Sequence, residues 1–411
     1  MAKIEQAFDY SSIPYHKRYD YEYKPPTPLK RAGMVSALFI PPIVKSSARY
    51  FTLGPKLKDW TLGYHVALLH VMGKMDNVKE IQTSTARPSA LPKDAFYVEE
   101  YFSRSSNVVE FLKQRAPGEW PDVADEIQEK VYGEWIYRQE DTDPEMYPFI
   151  HKQRKPFDKV LLLIHGGAFV LGSAPMYRRN AYDYTQNTDA AAFTISYRLA
   201  PQNPYPCPLI DCVSAYIHLL EKFDASKIIL MGDSAGGSLV LSTILVLRDM
   251  GIKVPAGAVC LSPWVDLTHS FPSFQANHGI DYLPDMPKDP RLLDRKHFYA
   301  ANEFLDLPYV SPIWATDFSN FPPFLIQVGT AEKLHDEVVA FAKKVSKDSG
   351  NKVVLETYES HVHTFQILKF AQGAKAAISR IAKWIMDSPK TSEYKLYDFN
   401  GSYLKDGSHN I

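Results

Sequence analysis

Three cysteines are few for 411 residues, and Cys207, Cys212 and Cys260 show neither CxxC nor zinc-finger spacing. That excludes a disulfide framework and a cysteine-built metal site, and leaves small buried apolar residues as the expectation. Excess charge is also missing. With 46 Lys and Arg against 47 Asp and Glu, the formal net charge is -1, so no basic field points to nucleic acid. Residues 1–30 are polar and tyrosine-rich and lack the apolar core of a secretory signal. The apolar stretch Ala32 to Val44 is too short to span a bilayer and is interrupted by prolines. Lys30, Arg31 and Lys45 flank it. Residues 30–75 are therefore expected either to pack on the body or to touch the endoplasmic reticulum or a lipid droplet peripherally, in a protein otherwise expected to be cytoplasmic. Internal repeats and low-complexity segments are absent, which excludes a repeat architecture.

What remains is an ordinary globular composition, 45% hydrophobic and 23% charged, with length for a large core. Residues 1–125 show no strand alternating with helix and read as an N-terminal arm and helical cap. In them Leu62, Val66 and Leu69 share a helical face, with Leu68, Met72 and Met75 beside it, a broad stripe expected to cover something apolar. From residue 126 the pattern changes. Residues 133–139 read as a strand, and 159–167 are a continuous apolar run ended by glycines, as in a strand buried on both faces. Further strands are expected at 190–201, 226–234, 256–264 and 322–329, with the last at 352–358. Helical spacing marks 207–223, 235–251 (closed by Gly251) and a last helix at 365–387. This alternation predicts an α/β fold over 126–388, a mostly parallel central sheet with helices on both faces. Residues 267–308, rich in proline and aspartate, break the rhythm and are expected as a lid insertion. Residues 389–411 read as a polar C-terminal tail.

The chemistry concentrates in loops at expected strand ends. Gly232-Asp233-Ser234-Ala235-Gly236 fits G-x-S-x-G where a strand should give way to a helix, the context of a nucleophile elbow. Such a turn strains the serine and admits only small neighbours, hence the glycines. His165-Gly166-Gly167-Ala168 follows a buried strand. Backbone N–H groups of Gly166, Gly167 and Ala168 are on offer to an oxyanion, with that of Ala235 completing the hole. A nucleophilic serine needs a base, and the base an orienting acid. Glu332, just past Gly329, is the favoured acid and Asp336 the alternative. His361 and His363 share the loop after residue 358, and either fits the base by position.

Together these residues resemble the hormone-sensitive-lipase family of α/β hydrolases, which includes arylacetamide deacetylases and fungal steryl acetyl hydrolases. The family's H-G-G-G-F/W corresponds to His165 through Phe169. Its G-D-S-A-G-G is intact from Gly232 to Gly237, and its Y-R-L-A-P-E appears as Tyr197 through Gln202. LSPWVDL (261–267) and YVSP (309–312) also match. The H-x-F near the end falls on His363-Thr364-Phe365 and selects His363 over His361. The resemblance covers about 130–388; the N-terminal third looks most like the fungal steryl-deacetylase branch. Ala168 departs from the third glycine and sets a methyl near the acyl site. Glu332 stands where most members have aspartate, and Gln202 where they have glutamate.

The resemblance implies a serine ester hydrolase without metal or cofactor, acting on a small apolar ester. Ser234 is the nucleophile, His363 the base and Glu332 the acid; His165, Gly232, Asp233 and Gly236 complete the motifs. Short-acyl esters of apolar alcohols, steryl acetates among them, are the expected substrates. Two alternatives stay open: an amidase on the same apparatus, and a small-molecule receptor on the same scaffold. Receptors of this family lose the histidine that is present here as His363.

Overall fold

The computed structural model describes residues 50–75, 88–115, 130–138, 157–186, 188–284, 290–292, 297–347, 350–387 and 391–406, together with residue 47. The stretch 32–44 lies outside the described residues, as do 285–289 and 293–296 of the insertion.

The strands are β1 (Ala95–Ser103), β2 (Lys130–Arg138), β3 (Lys159–Ile164), β4 (Ala190–Ser196), β5 (Ile228–Asp233), β6 (Gly257–Leu261), β7 (Phe324–Gly329), β8 (Val353–Tyr358), β9 (Glu393–Tyr397) and β10 (Tyr403–Asp406). The helices are α1 (Leu62–Met75), α2 (Ser106–Lys113), α3 (Ala174–Thr185), α4 (Cys207–Leu220), α5 (Ala235–Asp249), the single turn α6 (Ser273–Ala276), α7 (His335–Ser346) and α8 (Ala374–Asp387). The ten strands among the described residues join one sheet in the order β1-β2-β4-β3-β5-β6-β7-β8-β9-β10. From β4 through β9 neighbouring strands are parallel; β1, β2 and β10 pair antiparallel.

The unbroken apolar run KVLLLI follows from where β3 sits. Val160, Leu162 and Ile164 face a core shared with α4, α5 and α7. Leu161 and Leu163 face the opposite core, built with Tyr177 and Ala181 of α3 and with Ile381, Trp384 and Ile385 of α8. Neighbouring β5 divides the same way, Leu230 to one side and Met231 to the other. A strand covered on both faces has no polar side to show, so alternation disappears. Each fully buried leucine contributes roughly 1.5–3 kcal/mol.

The sheet extends beyond the span expected from pattern alone. β1 and α2 lie upstream of residue 126. β1 does alternate, with Tyr97, Glu99, Tyr101 and Ser103 exposed, but its inward face carries Glu100. That carboxylate accepts the Trp135 indole N–H and sits 2.8 Å from His218 Nε2, so a charge occupies a position where period-two reading expects an apolar residue. The tail supplies β9 and β10, so residue 358 does not end the last strand. The final helix starts at Ala374, not 365. Phe365–Ile367 form a 3₁₀ turn, and the Gly373 N–H is donated to His361 Nε2 at 3.2 Å.

Two additions to the sheet bear on the site. Among the described side chains of α1, Tyr64, His65 and Leu68 face inward, with Trp60 before the helix; Leu62 and Val66 are half-buried, and Leu69, Met72 and Met75 lie outside the described side chains. Trp60, Tyr64 and Leu68 pack with Ala331, Val362 and Phe365, in the loops that follow β7 and β8. The insertion packs into the body in two parts. Residues 273–284 bond to the loop after β7, whereas Tyr299 stacks on Phe169 at 3.8 Å between centroids. Elsewhere, buried Asp211 of α4 accepts from Arg198 and Arg104, which hold it below the usual carboxylate range despite its burial. This pins the Tyr197–Gln202 motif to the segment between β1 and α2. The three cysteines are buried and form no disulfide among the described residues, and burial pushes the thiols of Cys212 and Cys260 up.

Candidate active site

Ser234 sits between β5 and α5 with φ 52° and ψ −122°, in a region that non-glycine residues rarely adopt. The turn survives because the residues two positions away on either side, Gly232 and Gly236, have no side chains. A Cβ on Gly236 would lie 2.2 Å from the carbonyl oxygen of Ile164, and one on Gly232 would lie 2.5 Å from that of Gly236. β3 and the start of α5 therefore approach as backbones. The Ser234 N–H is tied to Leu261 O at 2.9 Å, leaving its side chain at the first turn of α5, where the helix dipole favours negative charge.

His363 comes from the loop after β8. Its Nε2 lies 2.8 Å from Ser234 Oγ, and its Nδ1 lies 3.1 Å from Glu332 Oε2, in the loop after β7. With Nδ1–H donated to the carboxylate, Nε2 is left to accept the serine hydroxyl. Burial alone would pull this imidazole down. The hydrogen bond and charge of Glu332, then the charges of Asp281 and Asp233, outweigh it and hold the pKa above the ordinary histidine value. The other Glu332 oxygen accepts Ser262 Oγ–H at 2.7 Å and the Gly329 N–H. Ser262 Oγ in turn accepts the Thr364 N–H at 3.1 Å, so one hydroxyl bridges the acid and the loop of the base.

The alternatives lie elsewhere. His361 is buried among Tyr64, Phe365 and Phe399, and burial drives its pKa down to about 3. It is a neutral packing residue that accepts the Gly373 N–H. Asp336 opens α7 and accepts the Ser273 N–H at 2.9 Å, turned toward the insertion.

The glycine-rich loop after β3 meets the elbow from the other side. Gly167, Ala168 and Phe169 all have positive φ, at 114°, 51° and 62°. Among the described residues the N–H groups of Gly167, Ala168 and Ala235 have no hydrogen-bond partner, as donors reserved for a ligand would. Gly166 is a correction. Its N–H is engaged by the Tyr177 hydroxyl at 3.0 Å and by Asp233 Oδ1 at 3.2 Å, so it does not offer itself to an oxyanion. Tyr177 also donates to Asp233 Oδ2 at 2.8 Å. Asp233 is thus an anchor, and burial raises its pKa to about 6. His165 is a support as well. Its ring stacks on Tyr197 at 4.1 Å, its Nδ1–H donates to Gly166 O, and burial lowers its pKa to about 4.

Residues 161–367 match the family described as alpha/beta hydrolase fold, half of the chain. This chain is an α/β hydrolase. It shares 35% identity over 208 residues with an acetyl-hydrolase of Streptomyces hygroscopicus, covering 50% of this chain and 68% of that protein. An esterase of Acinetobacter venetianus is 31% identical over 228 residues, 55% of this chain and 74% of that one. A solved esterase of the bacterial hormone-sensitive lipase family superposes with a TM-score of 0.55 at 26% identity, covering 85% of this chain and 97% of that one. The hydrolase belongs with these hormone-sensitive-lipase-like enzymes and is of carboxylesterase type.

Several supports of this hydrolase's site carry no mark in its sequence. Tyr177 lies in α3 and nothing local marks it. Ser262 stands in LSPWVDL, a segment that matches the family but gave no role. Ser273 and Asn277 of the insertion hold the acid loop through Ser273 Oγ to Lys333 O and Asn277 Nδ2 to Glu332 O, both at 2.7 Å. Each acts on a backbone group, and backbone partners leave no letter in the sequence.

Proposed function

We propose that the hydrolase cleaves short-acyl esters of apolar alcohols through an acyl-enzyme. The observation that carries this is the unbroken chain of Ser234 Oγ, His363 and Glu332, with contacts of 2.8 and 3.1 Å. Ser234 attacks the ester carbonyl as His363 Nε2 takes its proton. Glu332 keeps Nδ1 protonated and stabilises the imidazolium. Gly167, Ala168 and Ala235 donate to the tetrahedral oxyanion; one such donor is typically worth ~10²–10³ in rate. His363 then protonates the leaving alcohol, and water repeats the sequence on the acyl group. The intact serine–histidine contact favours turnover over a receptor role.

The acyl side is read as small. Ala168 carries its methyl in the loop of the donors, and Ser234 is only 8% exposed. The resemblance of the N-terminal third to steryl deacetylases makes steryl acetates the first alcohol class to try. Exposed Phe51 and Leu53 support a peripheral lipid contact by residues 30–75, in which they lie. The test is hydrolysis of p-nitrophenyl acetate, butyrate and octanoate beside a steryl acetate. Rates should fall with acyl length, and Ser234→Ala should abolish them. Parental activity in Ser234→Ala would sink the assignment, and a preference for octanoate would sink the small-acyl reading.

A further inference from the structure

We propose that Asp281 is a positioning residue for this hydrolysis: its carboxylate, delivered by the insertion, holds the acid loop and the base loop in register and faces the imidazolium that His363 becomes during turnover. The proposal rests on Ser234, His363 and Glu332 acting as assigned above.

The geometry is specific. Asp281 Oδ2 accepts the N–H of Lys333, the residue after Glu332, at 2.8 Å. Its Oδ1 accepts the N–H of His363 itself at 3.1 Å and that of Tyr282 at 2.8 Å. Both Lys333 and His363 lie in irregular loops, where buried amides need a partner from outside the ladder. One carboxylate supplies it to both. The separation of Glu332 from the imidazole is therefore fixed through a third residue that touches neither reacting atom. Adjacent contacts close the same joint. Tyr282 and Thr364 share a hydroxyl hydrogen bond at 2.6 Å, and Lys333 Nζ donates to Leu283 O and Pro284 O at 2.8 and 3.2 Å.

Charge gives a second, independent reason. Asp281 is 1% exposed, and its oxygens accept only backbone N–H groups, with no ion pair among the described residues. Burying a carboxylate without a cation is costly, and the cost raises its pKa. An amide of the same size would avoid that charge but keep only one acceptor oxygen for these N–H groups. The cation that this site provides is transient: the imidazolium at His363. A charge that is penalised in the resting state and matched in the transition state is spent on rate. The ionisable groups around the imidazole are Glu332 on the acid loop, Asp281 on the insertion and Asp233 at the end of β5. The phenol of Tyr282 lies beside the ring, and Tyr64 of α1 feels both Asp281 and Glu332.

The experiment is the pH profile of kcat/KM for p-nitrophenyl acetate in the full chain and in Asp281→Asn, with thermal unfolding and fluorophosphonate labelling of Ser234 alongside. The base must be neutral, so loss of a nearby negative charge moves the acidic limb down. The expected shift is about one unit. kcat should fall by up to ~10²-fold, as for displaced but intact catalytic groups, with KM little changed. A purely structural role would lower the unfolding temperature and leave the limb in place. A folded Asp281→Asn with parental kcat and an unmoved limb overturns the proposal. If that variant does not fold, Asp281→Glu carries the test. It keeps the charge but displaces the bonds, so kcat should fall while the limb stays; a parental kcat overturns the proposal. A parent that neither cleaves the ester nor labels at Ser234 refutes the underlying assignment instead.

Discussion

The two halves of the proposed catalytic centre are held by different means. The oxyanion loop is fixed from within the core: Asp233, the residue before the nucleophile, grips Gly166 directly and through Tyr177, and Tyr197 stacks under His165. The acid and base loops are fixed from outside it, by residues 273–284 of the insertion and by Trp60 and Tyr64 of the N-terminal segment. In the first half, the proposed donors and nucleophile share one anchor. In the second, the alignment of Glu332 with His363 depends on parts of the chain that contribute no reacting atom. That half is where the enzyme can be retuned without touching its motifs.

Glu332→Gln should show the largest effect. Ser262 Oγ–H and Gly329 N–H both donate to Oε1, so a glutamine would give them its carbonyl oxygen and turn its NH₂ toward His363 Nδ1. Nδ1 must then accept, the proton moves to Nε2, and the imidazole no longer takes the serine proton. A loss of ~10⁴-fold in kcat is expected from such a wrong tautomer. Steady-state kinetics on p-nitrophenyl acetate measures it. A loss under tenfold would move the acid role away from Glu332 and reopen the question for Asp336.

Tyr177→Phe probes the other half and should cost less. It removes one of two bonds on the Gly166 N–H and one donor to Asp233, leaving Asp233 Oδ1 in place. A drop of roughly tenfold in kcat is expected, below the loss of a full oxyanion donor. The pH response separates the halves. Burial already lifts Asp233 to about 6, and its ionised form is the one that grips the loop. Removing the Tyr177 donor lifts it further, so activity should fade at a higher pH than in the parent. Asp281→Asn is expected to move the limb the other way. Parallel shifts in the two variants would erase the distinction between the halves.

The same division decides what could be read beforehand. The elbow was legible because its steric demand falls on contiguous residues: where two backbones nearly touch, only glycine fits, and Gly232 and Gly236 say so. The parallel sheet was legible because burial on both faces strips polar residues from its strands. Gly166 departs from expectation for a complementary reason. A Gly-Gly pair shows that N–H groups are available, not which are already taken, and the hydroxyl that takes this one is on Tyr177 in another element. Glu100 hid β1, because a paired inward carboxylate looks like the end of an apolar face. Asp281, Ser273 and Asn277 were invisible, because what they recognise is peptide backbone.

The smallest predicted effect tests the outermost support. Trp60 Nε1–H donates to Ser360 O at 2.7 Å, and its ring packs against the cluster that includes Val362 and Phe365. Trp60→Phe keeps an aromatic ring but deletes the donor and part of the packed volume. The lost hydrogen bond contributes about 1 kcal/mol, and the unfilled space adds to that. Because Asp281 still holds the His363 N–H, the base should stay within reach of Ser234, and kcat/KM should fall by less than about fivefold, the equivalent of 1 kcal/mol. Chemical denaturation and the pH profile measure the two effects separately. A destabilised variant with a near-parental rate and an unmoved acidic limb places Trp60 outside the insertion's grip on the histidine. A rate loss as large as that of Asp281→Asn would instead mean that the N-terminal segment sets the position of the base together with the insertion.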